Sequence, residues 1–224
     1  MHWRDVLFAH WRADAAILQR TLPAGVTLDL HAGSAWISVV PFRMSRVRPR
    51  AFPVLPGFRD VLEINLRTYV RAGDRRLVWF YSLDAASPVV VRSARTFTGL
   101  PYFDAAVTTS ESAGEIAYAS ARNDRDVSAR FRATYRPDTQ TSVAEAGSLA
   151  AFLHERYAFV TYRIGELAIG EVRHEPWDMS TATIEIAENT LGDRIGHPLR
   201  TPPDACFFAR GMRVRATAVR RLRI

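Results

Sequence analysis

The sequence predicts a mainly β fold, either a closed antiparallel barrel or a sandwich, carrying a few short helices. Three observations lead there. Many short stretches alternate apolar and polar residues with the two-residue period of a strand. Turn-forming residues separate these stretches at short intervals. Helical patterns are few and brief, so helices attach to the β framework and do not alternate with strands. With 224 residues, 48% of them hydrophobic, the chain can bury one substantial core in a single domain spanning 1–224.

Taken in order, Arg4 to Arg12 is apolar-rich and reads as a strand ending in His10-Trp11. Asp14 is placed to cap a short helix from Ala15 to Gln19, which stops before Pro23. Gly25 to Leu30 reads as a turn and short strand, and Ala35 to Phe42 is apolar on both faces, as in a buried strand. Residues 43–60 hold Pro49, Pro53, Pro56 and Gly57 and read as a long connection, a length common in lids and binding loops. Ser87-Pro88 opens a helix, with the cap followed by proline at the first helical position. Ile116 to Ser120 and Ser128 to Tyr135 are alternating strands joined by the polar turn Asn123-Asp124-Arg125-Asp126. Ser148 caps a short helix through Leu153. Tyr157 to Ile164, Leu167 to Trp177 and Ala182 to Ala187 continue the β pattern. After a loop from Gly192 to Pro203, Ala205 to Ile224 supplies a final strand pair.

The centre of the chain carries the chemistry. From Val61 to Val70, Glu63, Asn65, Arg67 and Tyr69 share one strand face, and Ile64, Leu66, Thr68 and Val70 share the other. Gly73-Asp74 marks a hairpin turn. The return strand puts Trp79, Tyr81 and Leu83 on one side and Phe80, Ser82 and Asp84 on the other. A carboxylate, an amide, a guanidinium and a phenol thus follow one another at about 6–7 Å intervals. This is the face either of a solvated strand with ion pairs or of a ligand pocket.

A family resemblance favours the pocket. Tyr81-Ser82-Leu83-Asp84, then Arg95, then Gly99-Leu100-Pro101-Tyr102-Phe103 resemble the centre of acetoacetate decarboxylase, where Tyr-Leu-Asp leads through a helix to an aromatic-Pro-Lys-Lys motif. Arg4-Asp5 with His10-Trp11-Arg12-Ala13-Asp14 is similar to motifs near that family's start. Glu63 is similar to one of its active-site glutamates, and His174-Glu175-Pro176-Trp177 resembles its late His-Glu-Ala-Trp. Phe8-Ala9-His10-Trp11, Asn65 to Val70, Ser82 to Ala85 and Leu100-Pro101-Tyr102 look most like the uncharacterised YqjF-like branch. The resemblance implies an acetoacetate decarboxylase-like barrel whose lumen holds the ligand. It implies Glu63 and Asp84 as acid–base candidates, and Arg4, His10, Asn65, Arg67, Ser82 and Tyr102 as ligand-binding candidates. Trp11, Arg156, Tyr157, His174 and Trp177 form a second rank, in which packing is the better reading for both tryptophans.

The chain departs from that family where its reaction takes place. The paired lysine positions match Tyr102 and Phe103, and the 224 residues contain no lysine, since all 30 basic residues are arginine. Arginine stays protonated and is no carbonyl nucleophile, so Schiff-base decarboxylation has no amine to run on. The family's second glutamate falls within Ser38-Val39-Val40 and is also missing. What remains is a barrel that binds a small keto or carboxylic acid without decarboxylating it. The alternative is a lyase or hydrolase using Glu63 and Asp84.

Composition narrows the partners. The net charge of +7 gathers in two arginine clusters, Arg43, Arg46, Arg48 and Arg50, and Arg210 to Arg223. The second reads as the solvated face of a terminal strand, and neither belongs to a nucleic-acid module. No phosphate loop, nucleophile elbow or zinc helix is present. His10, His31, His154 and His197 show no metal-ligand spacing and read first as structural or surface histidines, so no metal and no cofactor are expected. Cys206 is the single cysteine, and no stretch is apolar enough to span a membrane. The expectation is a cytoplasmic protein binding an anionic small molecule, with homo-oligomerisation left open.

Overall fold

A computed structural model describes residues 1–47, 57–123 and 128–223. The elements in chain order are β1 (His2–Ala13), α1 (Ala15–Arg20), β2 (Thr27–Leu28), β3 (Ala35–Ser45), β4 (Asp60–Ala72), β5 (Arg75–Ala85) and α2 (Pro88–Thr98). There follow β6 (Tyr102–Ser112), β7 (Glu115–Arg122), β8 (Arg130–Pro137), β9 (Ser142–Val143), α3 (Leu149–His154), β10 (Ala158–Arg163), β11 (Glu166–Arg173) and β12 (Asp178–Asn189). A 3₁₀ turn (Asp193–Ile195), β13 (Ala205–Arg213), β14 (Arg215–Ala216) and β15 (Arg220–Arg221) complete them. The fold is mainly β, as the alternating stretches require.

All three expected helix caps form. Asp14 accepts hydrogen bonds from the Ala16 and Ile17 amides at 2.7 and 3.0 Å. Ser87 accepts from Val90 and Ser148 from Ala151. Gly99 ends α2 in the left-handed region at φ 71°, and an added Cβ would lie 3.0 Å from both Arg163 Cβ and the Tyr162 carbonyl. Residues 48–56, the middle of the expected long connection with Arg48 and Arg50, lie outside the described residues, as do residues 124–127 of the polar turn. Arg43 belongs to β3 itself. The stretch Tyr102–Ser112, read from sequence only as the end of a motif, is a full strand. At the C-terminus Val214 is buried between exposed Arg213 and Arg215, the solvated strand face expected there.

Hydrogen-bonded neighbours run β5-β6-β7-β8-β12-β13-β1-β3-β4, and β4 also pairs with β5. The expectation of a wholly antiparallel ladder is corrected at two places: β5–β6 and β5–β10 are parallel. The first follows from α2, because a helical crossover brings the chain back in the direction it left. The two faces of the ladder build separate cores. Leu7, Ala9, Ile37, Val39, Ile64, Leu66, Tyr118 and Phe131 pack on one. Phe8, Val40, Phe42, Leu83, Ala85, Tyr102, Phe159 and Trp177 pack on the other, beneath α2, β10 and β11. Among the described residues no helix is long and apolar enough to cross a membrane.

Candidate functional site

The β4–β5 hairpin forms as expected, and Glu63, Asn65, Arg67 and Tyr69 share a face away from bulk solvent: three are buried and Arg67 is half-buried. The register contains a surprise. Asn65 pairs with Leu83 and Leu66 with Ser82, but Arg67 pairs with Phe80, so Tyr81 is the extra residue of a β-bulge. The bulge turns Phe80 to the Arg67 face and leaves Ser82 and Asp84 on the opposite face, with Ile64 and Leu66. The eight candidates therefore separate into distinct groups.

On the Arg67 face, Glu63 is fully enclosed. The Tyr102 hydroxyl donates to its Oε2 at 3.0 Å and the Tyr118 hydroxyl to its backbone carbonyl at 2.8 Å. Burial pushes the Glu63 carboxyl up to about 8, ahead of the opposing hydrogen bond from Tyr102, so it is mostly protonated at neutral pH. Asn65 is buried beside it, and its Oδ1 has no partner among the described residues. On the other face Asp84 is fully buried and pairs with Arg122 at 2.8 Å, whose guanidinium lies 3.9 Å over the Phe103 ring. Burial raises the Asp84 carboxyl while Arg122 opposes it. Ser82 is buried there, its hydroxyl beside the Asp84 carboxyl, which it helps to keep from rising further.

Arg4 does not join either group. It is exposed on β1, where Asp5 takes a positive φ of 50° and the β1–β3 register shifts between Arg4 and Ala9. That irregularity breaks the face parity a regular strand would have given it. His10 is fully buried, with Nδ1 2.6 Å from Ser38 Oγ and Nε2 3.0 Å from His154 Nε2. Ser38 Oγ lies 2.8 Å from the Tyr69 hydroxyl. The expectation of His154 as a structural or surface residue is sharpened: it is buried in contact with His10.

Arg67 opens onto a cavity of about 40 Å³ lined by Trp3 and Phe8 of β1, Arg67 of β4, Val78 and Phe80 of β5, His154 at the end of α3, Arg156 just beyond it, Phe159 of β10, Val172 of β11, and His174 and Trp177. Its chemistry is one-sided. Among the described residues Trp3 Nε1, Arg67 Nε and Arg156 Nη2 are buried donors with no acceptor. Among the described residues Arg67 makes no ion pair; its guanidinium lies 5.5 Å from the Phe8 ring and 5.8 Å from the Tyr69 ring. Arg156 is partly satisfied, by Asp29 Oδ2 at 2.7 Å and the Phe152 carbonyl at 2.7 Å. Trp177 is buried against Phe8 and Trp3, the packing role expected of it. Trp11 is also structural, donating to the Thr201 carbonyl at 2.8 Å.

Sequence reasoning missed Trp3, Phe8, Phe80, His154 and Phe159, which reach the cavity from four elements, β1, β5, α3 and β10. Only Arg67 of the first-rank candidates lines it, joined by Arg156, His174 and Trp177 of the second rank. A second cavity, of about 170 Å³ beside Asp5, Leu62 and Tyr118, holds none of the candidates. Among the described residues no group of three or more His, Cys, Asp or Glu is placed to hold a metal ion.

Comparison with known proteins gives the family. The family model for DUF2071, an uncharacterized conserved protein, matches residues 1–213. The chain belongs to the DUF2071 family. A relative in it, the uncharacterized protein YqjF of Bacillus subtilis (strain 168), is 40% identical over 208 residues, covering 93% of this chain and 86% of YqjF. The fold is shared more widely. The enduracididine biosynthesis enzyme MppR superposes with a TM-score of 0.68 at 15% identity, over 99% of this chain and 86% of MppR; its complex with pyruvate gives 0.64 at 14%, over 98% and 89%. An acetoacetate decarboxylase-like enzyme from Sphingomonas wittichii RW1 gives 0.64 at 19%, over 99% and 92%. This DUF2071 chain therefore has an acetoacetate decarboxylase-like fold.

Proposed function

We propose that the chain binds a small keto or carboxylic acid in the cavity at Arg67 and does not decarboxylate it. The observation that carries this reading is the set of unmet donors on Trp3, Arg67 and Arg156: an enclosure that offers N–H groups without acceptors is complementary to an anion rich in acceptors. A water needs about 10–15 Å³ by the same measure. The cavity thus suits a ligand of a few heavy atoms, with its carbon body against Phe8, Phe80 and Phe159. The pyruvate complex of MppR supports a 2-oxo acid as the first ligand to try. The absence of lysine argues against Schiff-base chemistry. Neither Glu63 nor Asp84 lines the cavity, which weighs against the acid–base alternative.

The barrel belongs to the same proposal. Its closure is supported by the pairing of β5 with β4, the two ends of the nine-strand path. Within this proposal the ligand sits on the expected Glu63-to-Arg67 face but outside the barrel interior, because the Ile64 and Leu66 face is filled by apolar and aromatic side chains. We take the ligand to be a cytoplasmic metabolite and assign no role to nucleic acid or membrane.

Arg67→Met keeps much of the stem and removes the guanidinium. Pyruvate should bind the variant more weakly by roughly 1.5–3 kcal/mol, the range for a charged hydrogen bond, while pyruvamide should lose much less. Equal losses for acid and amide, measured by calorimetry, would mean that Arg67 shapes the cavity without recognising charge.

A further inference from the structure

The His10–His154 contact allows one arrangement of protons. His154 Nδ1 lies 2.8 Å from the Ala150 carbonyl, which only accepts, so Nδ1 carries the hydrogen. In a neutral ring His154 Nε2 is then an acceptor, and His10 Nε2–H donates to it across 3.0 Å. His10 Nδ1 in turn accepts from the Ser38 hydroxyl, and Ser38 accepts from the Tyr69 hydroxyl. Every ring nitrogen is used, and both rings are uncharged. Burial holds both imidazoles below their ordinary range, His154 at about 3, and the Arg67 cation pushes the same way.

We propose that binding of a carboxylate at Arg67 is coupled to uptake of one proton by the His10–His154 pair. The inference rests on the ligand reading above. An anion beside Arg67 offsets the cation that disfavours an imidazolium, and His154 lines the same cavity. The proton comes from solvent and bonds to His10 Nδ1, leaving Nε2–H shared with His154 Nε2. The Ser38 hydroxyl rotates to accept from Nδ1–H and donate to the Tyr69 oxygen, and no covalent bond breaks. A proton on His154 Nε2 would instead set two N–H groups against each other. The charged and titratable groups around the pair are Arg67 and Tyr69 from β4, Arg156 with its partner Asp29, and His174 and Glu155 around Trp177. Of these, His174 is the other imidazole at the cavity and is the competing source of any proton signal.

The test is calorimetric titration of the full chain with pyruvate, in buffers of differing ionisation enthalpy, at about pH 5.5 and about pH 8. Pyruvate stays ionised throughout. Fractional proton uptake per pyruvate is expected at the lower pH and less at the higher, with affinity tightening by less than about tenfold per pH unit as pH falls. His10→Gln should abolish the uptake while pyruvate still binds, and His174→Gln should retain it. Binding without buffer dependence overturns the coupling and leaves the ligand reading standing; no binding of pyruvate removes both. Should His10→Gln fail to fold, the imidazole nitrogen resonances of the unaltered protein decide: imidazolium shifts at His10 or His154 support the coupling, and a shift at His174 alone overturns it.

Discussion

At the scale of single residues, Glu63 and the His10–His154 pair make stability depend on pH in opposite directions. Glu63 titrates near 4.5 when unfolded and at about 8 when folded. The folded state therefore holds its proton longer, and stability falls as pH rises through that window. The two histidines are lowered below 6.5, so the unfolded chain takes up protons first and stability falls as pH drops below about 6.5. Glu63→Gln keeps the shape and the bond from Tyr102 but cannot ionise. Urea denaturation from acid to alkaline pH should show the unaltered protein losing stability relative to this variant as pH approaches 8. Parallel curves would contradict the buried neutral carboxyl. The Asp84–Arg122 pair behaves differently, because it is charged and enclosed. Arg122→Met strands the carboxylate and should cost about 3–5 kcal/mol in the same assay.

At the scale of elements, the cavity wall depends on a glycine. Gly170 of β11 lies opposite Phe159 of β10, and a methyl group there would collide with the Phe159 ring. Gly170→Ala should force that ring toward the cavity, costing about 1–3 kcal/mol of stability and weakening pyruvate further than stability alone accounts for. Unchanged pyruvate affinity, measured on the folded variant, would place the ligand away from Phe159. The elements also show what was legible in the sequence. The hairpin, its Glu63-to-Tyr69 face and three helix caps followed from alternation and capping residues. The Tyr81 bulge did not, since a one-residue offset leaves the local pattern unchanged and becomes visible only in the pairing. Strand β6 escaped because Asp104-Ala105-Ala106 and the run from Thr108 to Ser112 show little apolar alternation.

Across the whole molecule, the site is assembled from residues as far apart as Trp3 and Trp177, so no local motif could define it. Strand parity pointed to Arg67, and the family resemblance to the His174-to-Trp177 segment, but the resemblance also placed Arg4 in the interior, where the distortion at Asp5 keeps it out. Chemistry at this scale turns on a missing residue type. Without lysine, acetoacetate treated with borohydride should leave no covalent adduct on the folded protein, by intact mass; an adduct would overturn the exclusion of Schiff-base chemistry. If the ligand reading holds, the unmet donors of Trp3, Arg67 and Arg156 converge on one anion. The most direct measurement of that convergence follows the Trp3 indole N–H and the Arg67 and Arg156 guanidinium N–H resonances by nitrogen–proton NMR during a pyruvate titration. The account predicts that all three shift together with a single dissociation constant, and that pyruvamide fails to reproduce the shifts. Saturable binding that leaves Trp3 and Arg67 unmoved would contradict it.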